Sequence, residues 1–360
     1  MAIHPSVMRA TTCRRLPSPA ELLSDYPCKA DTEHRIMTSR NDVRDILHGK
    51  DDRLLVVIGP CSIHDPDAAL AYAKQLKPLV EQFSDHLHIV MRTYFEKPRT
   101  TTGWKGLIFD PHLDNSNDLI TGLTTARQLV LAINELGVST STEFLDNTSF
   151  LYLADLMSWG AIGARTTESQ VHRQLTSGLP CPVGFKNGTD GNIRVATDAI
   201  LSSQSPHLYT VTGHDGHLYA VESSGNTDCH IILRGGQEPN YSPSHIQAAS
   251  KALYQAKLPV SIMVDCSHGN SQKRHKNQLV VAQSLCEQLS QGEQAITSIM
   301  VESFFEEGNQ AISANMTYGQ SVTDACINWS DTEILLNQFA AAIATRRTLY
   351  QSLSPVAMHG

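Results

Sequence analysis

The sequence predicts a closed (β/α)8 barrel of the TIM type, and three observations support this fold class. Eight short apolar runs rich in β-branched residues recur along the chain, as buried parallel strands do. Helical patterns alternate with them. No glycine-rich dinucleotide turn follows the first run, which disfavours the structural alternative, an open doubly wound sheet. The eight predicted strands are residues 54–59, 88–95, 138–145, 161–167, 182–187, 230–236, 260–266 and 296–303.

Residues 1–50, which precede the first predicted strand, are interpreted as an N-terminal arm. They contain two short helical patterns, 18–27 and 34–49, and no strand pattern. Residues 51–350 are interpreted as the barrel, which would be the catalytic domain.

Four longer amphipathic patterns predict helices between the strands. In the second of them, apolar residues recur every three or four positions and Gly137 marks the end. The run 152–161 is also interpreted as a helix face. The four patterns are residues 67–83, 121–137, 277–289 and 331–347.

Two stretches interrupt the alternation of strand and helix. Residues 205–225 contain two segments of alternating polarity around Gly213–Gly216, which predicts an inserted β-hairpin. Residues 96–118 form the longest polar loop and follow the second strand, so we expect them at the active site.

Charge and composition exclude several classes of partner. The net charge of -8 argues against binding to nucleic acid or to an anionic membrane. No apolar run approaches the roughly 18 residues of a membrane span, and the start of the chain lacks the apolar stretch of a secretory signal. Eight cysteines without a CxxC pair are typical of reduced thiols, so we expect a cytoplasmic location.

Basic residues follow most of the predicted strands, although the chain is acidic overall. Because active sites of TIM barrels lie at the C-terminal ends of the strands, these cations should meet at one mouth. Cations that crowd together persist when an anionic ligand neutralises them. Arg165, Lys186 and Arg234 end neighbouring strands, which predicts a pocket for a phosphate and a carboxylate. The second strand contributes Arg92, and Lys97, Arg99 and Thr100 beyond it suggest a second phosphate site.

A second set of side chains predicts a metal site on the other side of the mouth. Cys61, His268, Glu302 and Asp324 follow the first, seventh and eighth strands, which are neighbours in a closed barrel. A thiolate, an imidazole and two carboxylates suit Mn, Fe, Co, Zn or Cu, and the sequence does not choose among them. For Cys61 alone, the alternative to a metal ligand is a buried thiol. For His268 alone, it is a hydrogen-bonded loop histidine. A protease-like Cys/His pair is disfavoured, since the surrounding cations call for a small anion.

The motifs that carry these residues closely resemble the microbial class I 3-deoxy-D-arabino-heptulosonate-7-phosphate (DAHP) synthases. The resemblance runs over residues 15–345. It implies condensation of phosphoenolpyruvate with D-erythrose 4-phosphate to DAHP and phosphate, the first step of the shikimate pathway to aromatic amino acids. The motifs are GPCSIHD, MRTYFEKPRTT, GARTTESQVHR, PVGFKNGTDG, HIILRGG, VDCSHGN and GQSVTDACI.

The resemblance also implies a role for each residue singled out above. Phosphoenolpyruvate would be held by the strand-end cations, with help from Glu143 through water, and the phosphate of erythrose 4-phosphate by Arg99 and Thr100. Lys97 and His268 would handle protons. Manganese is the metal expected in assays. The implied metal ligands are Cys61, His268, Glu302 and Asp324, and the implied phosphoenolpyruvate ligands are Arg92, Lys97, Arg165, Lys186 and Arg234.

Relatives are commonly inhibited by one aromatic amino acid, at a site built from the arm, residues 144–153, the region near 180 and the hairpin. The chain keeps the arm and the hairpin, so we expect feedback inhibition and a homodimer or homotetramer. Pro180 stands where relatives often carry serine, which leaves the effector open among phenylalanine, tyrosine and tryptophan. The alternatives for function are a condensation that uses arabinose 5-phosphate, a metal-dependent hydrolase or aldolase, and a non-catalytic sensor of aromatic amino acids.

Overall fold

The structure, a computed structural model, describes residue 9 and residues 12–353. Eight parallel strands close into a barrel, which confirms the predicted TIM fold. The barrel strands are β1 (Leu54–Gly59), β2 (Leu87–Arg92), β3 (Ser139–Glu143), β4 (Trp159–Ile162), β5 (Val183–Lys186), β8 (Cys229–Leu233), β9 (Ile262–Asp265) and β10 (Ile296–Glu302). Their order around the ring is β1-β10-β9-β8-β5-β4-β3-β2.

Helices connect the strands on the outside of the barrel. The helix that follows β1 has a defined start at Pro66. The Asp65 carboxylate accepts a hydrogen bond from the Ala68 amide at 3.0 Å, and a proline follows this N-cap residue. The helices are α1 (Pro19–Asp25), α2 (Ala30–Leu47), α3 (Pro66–Gln82), α4 (Leu119–Glu135), α5 (Gln170–Gly178), α6 (Arg194–Ser203), α7 (Pro243–Gln255), α8 (Asn277–Ser290) and α9 (Trp329–Leu353). None of these helices is both long enough and apolar enough to cross a membrane.

Helix α2 closes the N-terminal end of the barrel. Its residues Val43, Ile46 and Leu47 belong to the same buried cluster as Leu55 and Val57 of β1. Neighbouring positions of β1 belong instead to the cluster shared with the outer helices, as the alternation of side chains along a strand requires. The arm thus completes the inner core from this end of the barrel.

The connection after β3 differs from the prediction. The run 152–161 is not a helix, because two 3-10 turns, Ser149–Tyr152 and Ala154–Leu156, lead directly into β4. Arg40 of α2 donates hydrogen bonds to three backbone carbonyls of this segment at 2.8–3.1 Å. Arg127 of α4 donates to a fourth at 2.8 Å. Carbonyl oxygens that an α-helix would use internally are therefore satisfied by side chains from two other helices.

A hairpin is inserted before β8, at the predicted position. Strands β6 (Leu208–Thr212) and β7 (Leu218–Glu222) pair antiparallel as a separate two-stranded sheet. The arm touches its tip, where the Ala20 amide donates to the His214 carbonyl at 2.7 Å. Leu208 and Leu218 are 72% and 77% exposed, so the hairpin presents apolar side chains to its surroundings.

One carboxyl group is buried where the loop after β2 leaves the barrel. Glu96 is 4% exposed, and it accepts a hydrogen bond at 2.9 Å from the hydroxyl of Ser149 in the first 3-10 turn. Its second carboxyl oxygen, Oε1, has no partner among the described residues. Desolvation raises the pKa of Glu96 from its usual 4.5 to about 8, and the negative charges of Asp146 and Glu143 act in the same direction.

The substitution Glu96→Gln should therefore change the pH dependence of stability. Between about pH 4.5 and pH 8 the unfolded chain has lost this proton and the folded chain keeps it, so the group makes stability fall as pH rises. Glutamine carries no such proton. We expect the free energy of unfolding of the variant, relative to that of the wild type, to rise by on the order of 5 kcal/mol from pH 4.5 to pH 8 and to rise no further above pH 8. Urea unfolding at several pH values measures the difference, and a difference independent of pH would contradict the assigned protonation.

Candidate active site

A cavity of about 350 Å³ opens at the C-terminal end of the barrel. Eight residues predicted for the site line it, together with Thr189 and Lys273, which the sequence analysis did not single out. Lys273 has a φ of +59° and follows directly on Gln272 at +52°, so this rim loop turns through left-handed backbone that a glycine would adopt more easily. The eight are Lys97, Arg99, Glu143, Arg165, Lys186, Arg234, His268 and Asp324.

Three of the lining cations lie at the C-terminal ends of adjacent strands β4, β5 and β8. Arg165 is exposed and lies in the turn after β4, because this strand ends at Ile162 rather than continuing through the predicted 161–167. Arg234 is half-buried. Desolvation lowers its pKa, and the positive charge of Arg165 lowers it further. Two guanidinium groups that repel each other favour an anionic ligand between them.

Lys186 is the buried member of this group. It is 4% exposed, and its Nζ donates to Oδ2 of Asp265 at 2.8 Å. Asp265, which ends β9, has no role in the sequence-based prediction. It is fully buried, and although desolvation alone would raise its pKa, the charges of His268 and Lys186 hold the value well below the usual range. An acidic residue that ends a buried strand three positions before a histidine was the available signal.

The predicted metal ligands come together on the other side of the cavity. One ligand atom each of Cys61, Glu302 and Asp324 lies within 4.8 Å of the other two. His268 completes the group, with its Nε2 at 3.9 Å from Glu302 Oε1 and 3.8 Å from Asp324 Oδ2. Glu302 is the last residue of β10, and the other three follow β1, β9 and β10, which are neighbours in the ring. Sulfur, nitrogen and oxygen donors at this spacing are chemically suited to one divalent cation.

His268 is held by its other ring nitrogen and by an unusual backbone. Its Nδ1 lies 2.9 Å from Asp265 Oδ2, although the two groups are not aligned as in a good hydrogen bond. Its φ is +53°, in the left-handed region that side chains rarely adopt. The carboxylate of Asp265 thus orients the ring so that Nε2 faces the two other carboxylates.

Burial differs greatly within the metal-ligand group. Cys61 and Glu302 are fully buried, whereas the side chain of Asp324 is 62% exposed at the mouth. Desolvation, together with the charge of Glu302, raises the pKa of the Cys61 thiol to about 12. The hydroxyl of Ser267 donates to Oε2 of Glu302 at 2.8 Å and fixes this carboxylate.

Arg92 lies below the cavity rather than in its wall. It is 1% exposed, and its Nη2 donates to Glu302 Oε1 and to the Cys61 carbonyl, both at 3.3 Å. Its guanidinium carbon lies 3.9 Å from the centre of the Tyr94 ring. In this position Arg92 supports the metal-ligand group from beneath.

Lys97, Arg99 and Thr100 belong to the loop after β2, but they occupy different positions. Burial lowers the pKa of Lys97, and the neighbouring Cys61 and Glu302 outweigh this and raise it, so the ammonium form is favoured. Arg99 is exposed, and its Nε donates to the Trp104 carbonyl at 2.7 Å. Thr100 is exposed and is not among the residues that line the cavity.

Comparison with known proteins gives concordant matches. A model of the DAHP synthetase I family matches residues 27–337. The Phe-sensitive phospho-2-dehydro-3-deoxyheptonate aldolase of Escherichia coli strain K12 is 54% identical over 342 residues, which cover 94% of this chain and 98% of that protein.

Two further comparisons agree with these matches. The Trp-sensitive phospho-2-dehydro-3-deoxyheptonate aldolase of Salmonella typhimurium is 51% identical over 341 residues, which cover 94% of this chain and 98% of that protein. The structure of phospho-2-dehydro-3-deoxyheptonate aldolase from Francisella tularensis SCHU S4 superimposes with a TM-score of 0.92 at 44% identity, over 94% of this chain and 99% of that one. The chain therefore belongs to the DAHP synthetase I family.

Proposed function

We propose that this chain condenses phosphoenolpyruvate with D-erythrose 4-phosphate and water to give DAHP and inorganic phosphate, the first step of the shikimate pathway. One observation carries the proposal. A group of cations and a group of metal-ligating side chains face each other across one cavity of about 350 Å³. Two phosphorylated anions need the cations, and an aldehyde that accepts a carbon nucleophile needs an electrophilic activator. A hydrolase would leave the cations without a role.

In this proposal, the cations bind and align both substrates. Arg165, Lys186 and Arg234 hold the phosphate and carboxylate of phosphoenolpyruvate, with Lys97 beside them and Glu143 acting through water. Arg99 and Thr100, further out on the loop after β2, hold the phosphate of erythrose 4-phosphate. Positive charge around two anions offsets their mutual repulsion, so the enol carbon of one can approach the aldehyde carbon of the other. Arg92, from its buried position, fixes Glu302 and contributes charge from below.

The residues fit a divalent metal, to be held by Cys61, His268, Glu302 and Asp324. The fit rests on the donor atoms of Cys61, Glu302 and Asp324, which lie within 4.8 Å of one another, and on His268 Nε2 within 3.9 Å of both carboxylates. It also rests on the buried thiol, which a nearby cation would stabilise as thiolate. When bound, such an ion supplies a Lewis acid that polarises the aldehyde oxygen. Manganese is the ion we would use in assays.

Lys97 and His268 would hold protons in the reaction. The favoured ammonium form of Lys97 can donate from Nζ to an oxygen that gains negative charge. The enol carbon forms the new bond to the aldehyde carbon, and positive charge then develops at the adjacent carbon of phosphoenolpyruvate. Water adds at that carbon, its proton is taken up by a nearby base, and the phosphate leaves with the bridging oxygen.

We also propose an aromatic amino acid as feedback inhibitor, a homodimer or homotetramer, and a cytoplasmic location. The arm that contacts the hairpin, the exposed Leu208 and Leu218, and the relatives named as Phe-sensitive and Trp-sensitive support the first two. The hydrogen bond from Ser149 to Glu96 provides a contact through which residues 144–153 would act on Lys97. All eight cysteines are free thiols, which supports a cytoplasmic location.

The activity itself is the first test. The protein with Mn²⁺ and both substrates should consume phosphoenolpyruvate, followed as loss of its ultraviolet absorbance, and release one phosphate per turnover. Arabinose 5-phosphate in place of erythrose 4-phosphate should give at least about 100-fold lower kcat/KM. Equal rates with the two sugars would reject the assigned acceptor, and no consumption with either would reject the proposed reaction.

Substitution of one metal ligand tests the metal site. Cys61→Ala should lower metal content at a fixed free Mn²⁺ concentration and reduce kcat/KM by at least about 100-fold, since a donor atom is lost. Cys286→Ala is the matched control, because it removes another buried thiol, on α8 in the outer helix layer. Metal content by mass spectrometry, activity and thermal unfolding are compared for the two variants. A folded Cys61→Ala protein with unchanged metal content and turnover would remove Cys61 from the ligand set.

Regulation is tested by adding phenylalanine, tyrosine and tryptophan separately to the assay. One of the three should inhibit at least about fivefold at saturation, as expected for a coupling free energy of 1–3 kcal/mol. Sedimentation with and without the inhibiting amino acid reports the oligomeric state. Full activity in the presence of each amino acid would reject the proposed feedback.

A further inference from the structure

Three buried asparagines lie directly beneath the cationic side of the cavity. Asn187 follows Lys186, Asn240 lies in the connection from β8 to α7, and Asn270 stands two positions after His268. They are 0%, 7% and 3% exposed. Because unpaired amides are costly to bury, their hydrogen-bond partners show what they hold together.

Asn187 ties the loop after β5 to the loop after β8. Its Oδ1 accepts a hydrogen bond from the backbone amide of Arg234 at 2.8 Å. Its Nδ2 donates to the carbonyl oxygens of Gly235 at 3.0 Å and Gly188 at 2.8 Å. A single side chain thus fixes the backbone from which Arg234 projects, and it does so from the position next to Lys186.

Asn240 and Asn270 extend the connection to the loop after β9. Oδ1 of Asn240 accepts from the Gly235 amide at 2.7 Å, and its Nδ2 donates to Asn187 Oδ1 at 3.3 Å. Oδ1 of Asn270 accepts from the backbone amide of Asn240 at 2.7 Å. Its Nδ2 donates to the carbonyl oxygens of Asp265 at 2.9 Å and of Leu233 at 3.1 Å. Three loops therefore share one continuous amide network.

Close backbone packing shows independently that these loops have a fixed spacing. A Cβ atom at Gly235 would lie 2.5 Å from the backbone of Gly269, and one at Gly236 would lie 2.5 Å from that of Gly191. The amide of Gly269 donates to the Arg234 carbonyl at 3.0 Å. Only glycines permit this approach, so the three loops are in direct backbone contact at the level of the network.

We propose that Asn187, Asn240 and Asn270 are positioning residues that hold Lys186, Arg234 and the His268 loop at the spacing phosphoenolpyruvate requires. This inference rests on the proposed function. Each carboxamide uses its oxygen as acceptor and its nitrogen as donor, and no other short side chain combines an acceptor oxygen with a separate nitrogen that donates two hydrogen bonds. An aspartate of the same shape would keep the acceptor, lose the donors and direct an oxygen at carbonyl oxygens. Preorganised cations bind an anion more tightly because less order is lost on binding.

The test is Asn187→Asp, with Asn134→Asp as matched control. Asn134 is also buried, 4% exposed, and its Nδ2 donates to the Val130 and Leu156 carbonyls at 3.0 and 3.2 Å, on α4 and away from the cavity. We expect the KM for phosphoenolpyruvate to rise at least about tenfold in Asn187→Asp, with kcat and the KM for erythrose 4-phosphate changed less than about threefold. The control should leave all three constants near those of the wild type, although its unfolding temperature falls by a similar amount.

A second variant and a direct measurement keep the outcomes distinct. Asn240→Asp breaks the network without touching the Arg234 amide, and it should raise the same KM if Asn187→Asp does not fold. Calorimetric titration with phosphoenolpyruvate measures binding without turnover. An unchanged KM and binding constant in folded variants, or an equal rise in the control, would overturn the positioning role while leaving the reaction intact. A wild type that binds phosphoenolpyruvate but does not consume it would instead reject the proposed function.

Discussion

The carboxylate of Asp265 is the single charge on which both sides of the cavity depend. It is fully buried at the end of β9, and Lys186 and His268 both lie within 2.9 Å of its Oδ2. A buried carboxylate without a partner would be too costly to maintain, and so would a buried ammonium group. Their pairing satisfies both requirements. It also fixes the distance between the cationic side of the cavity and the side that carries the metal-ligand group.

Closure of the barrel converts distant sequence positions into neighbours. Cys61 and Glu302 lie 241 positions apart in the chain, and they meet because β1 pairs in parallel with β10, with Gly59 opposite Glu302. Parallel pairing all round the ring places every strand end at the same face. The loops then need only short extensions to bring side chains to one cavity. The exact positions of these side chains are fixed by buried groups below the loops. Examples are Arg92 under Glu302 and the asparagine network under Arg234.

Much of the fold and of the candidate site is predictable from the sequence, because strand ends and their chemistry are local patterns. The eight strands are confirmed, and eight predicted residues line the cavity. Features that depend on tertiary partners are not predictable in this way. The run 152–161 has the apolar spacing of a helix, but Arg40 and Arg127 donate hydrogen bonds to its backbone carbonyl groups. Arg92 looks in the sequence like the other cations, and only the structure shows it buried below them. Asn187 and Asn270 lie within the motifs PVGFKNGTDG and VDCSHGN, but the motifs do not show which backbone groups these side chains bond to.

The position of α2 has a consequence for attempts to shorten the chain. Val43, Ile46 and Leu47 complete the cluster inside the barrel, and each buried side chain of this kind contributes about 1.5–3 kcal/mol. Their sum is comparable with the net stability of many whole domains. A fragment that begins at β1 would also expose an apolar opening at the base of the barrel, a surface prone to self-association. A minimal soluble version of this protein should therefore retain the arm through Leu47.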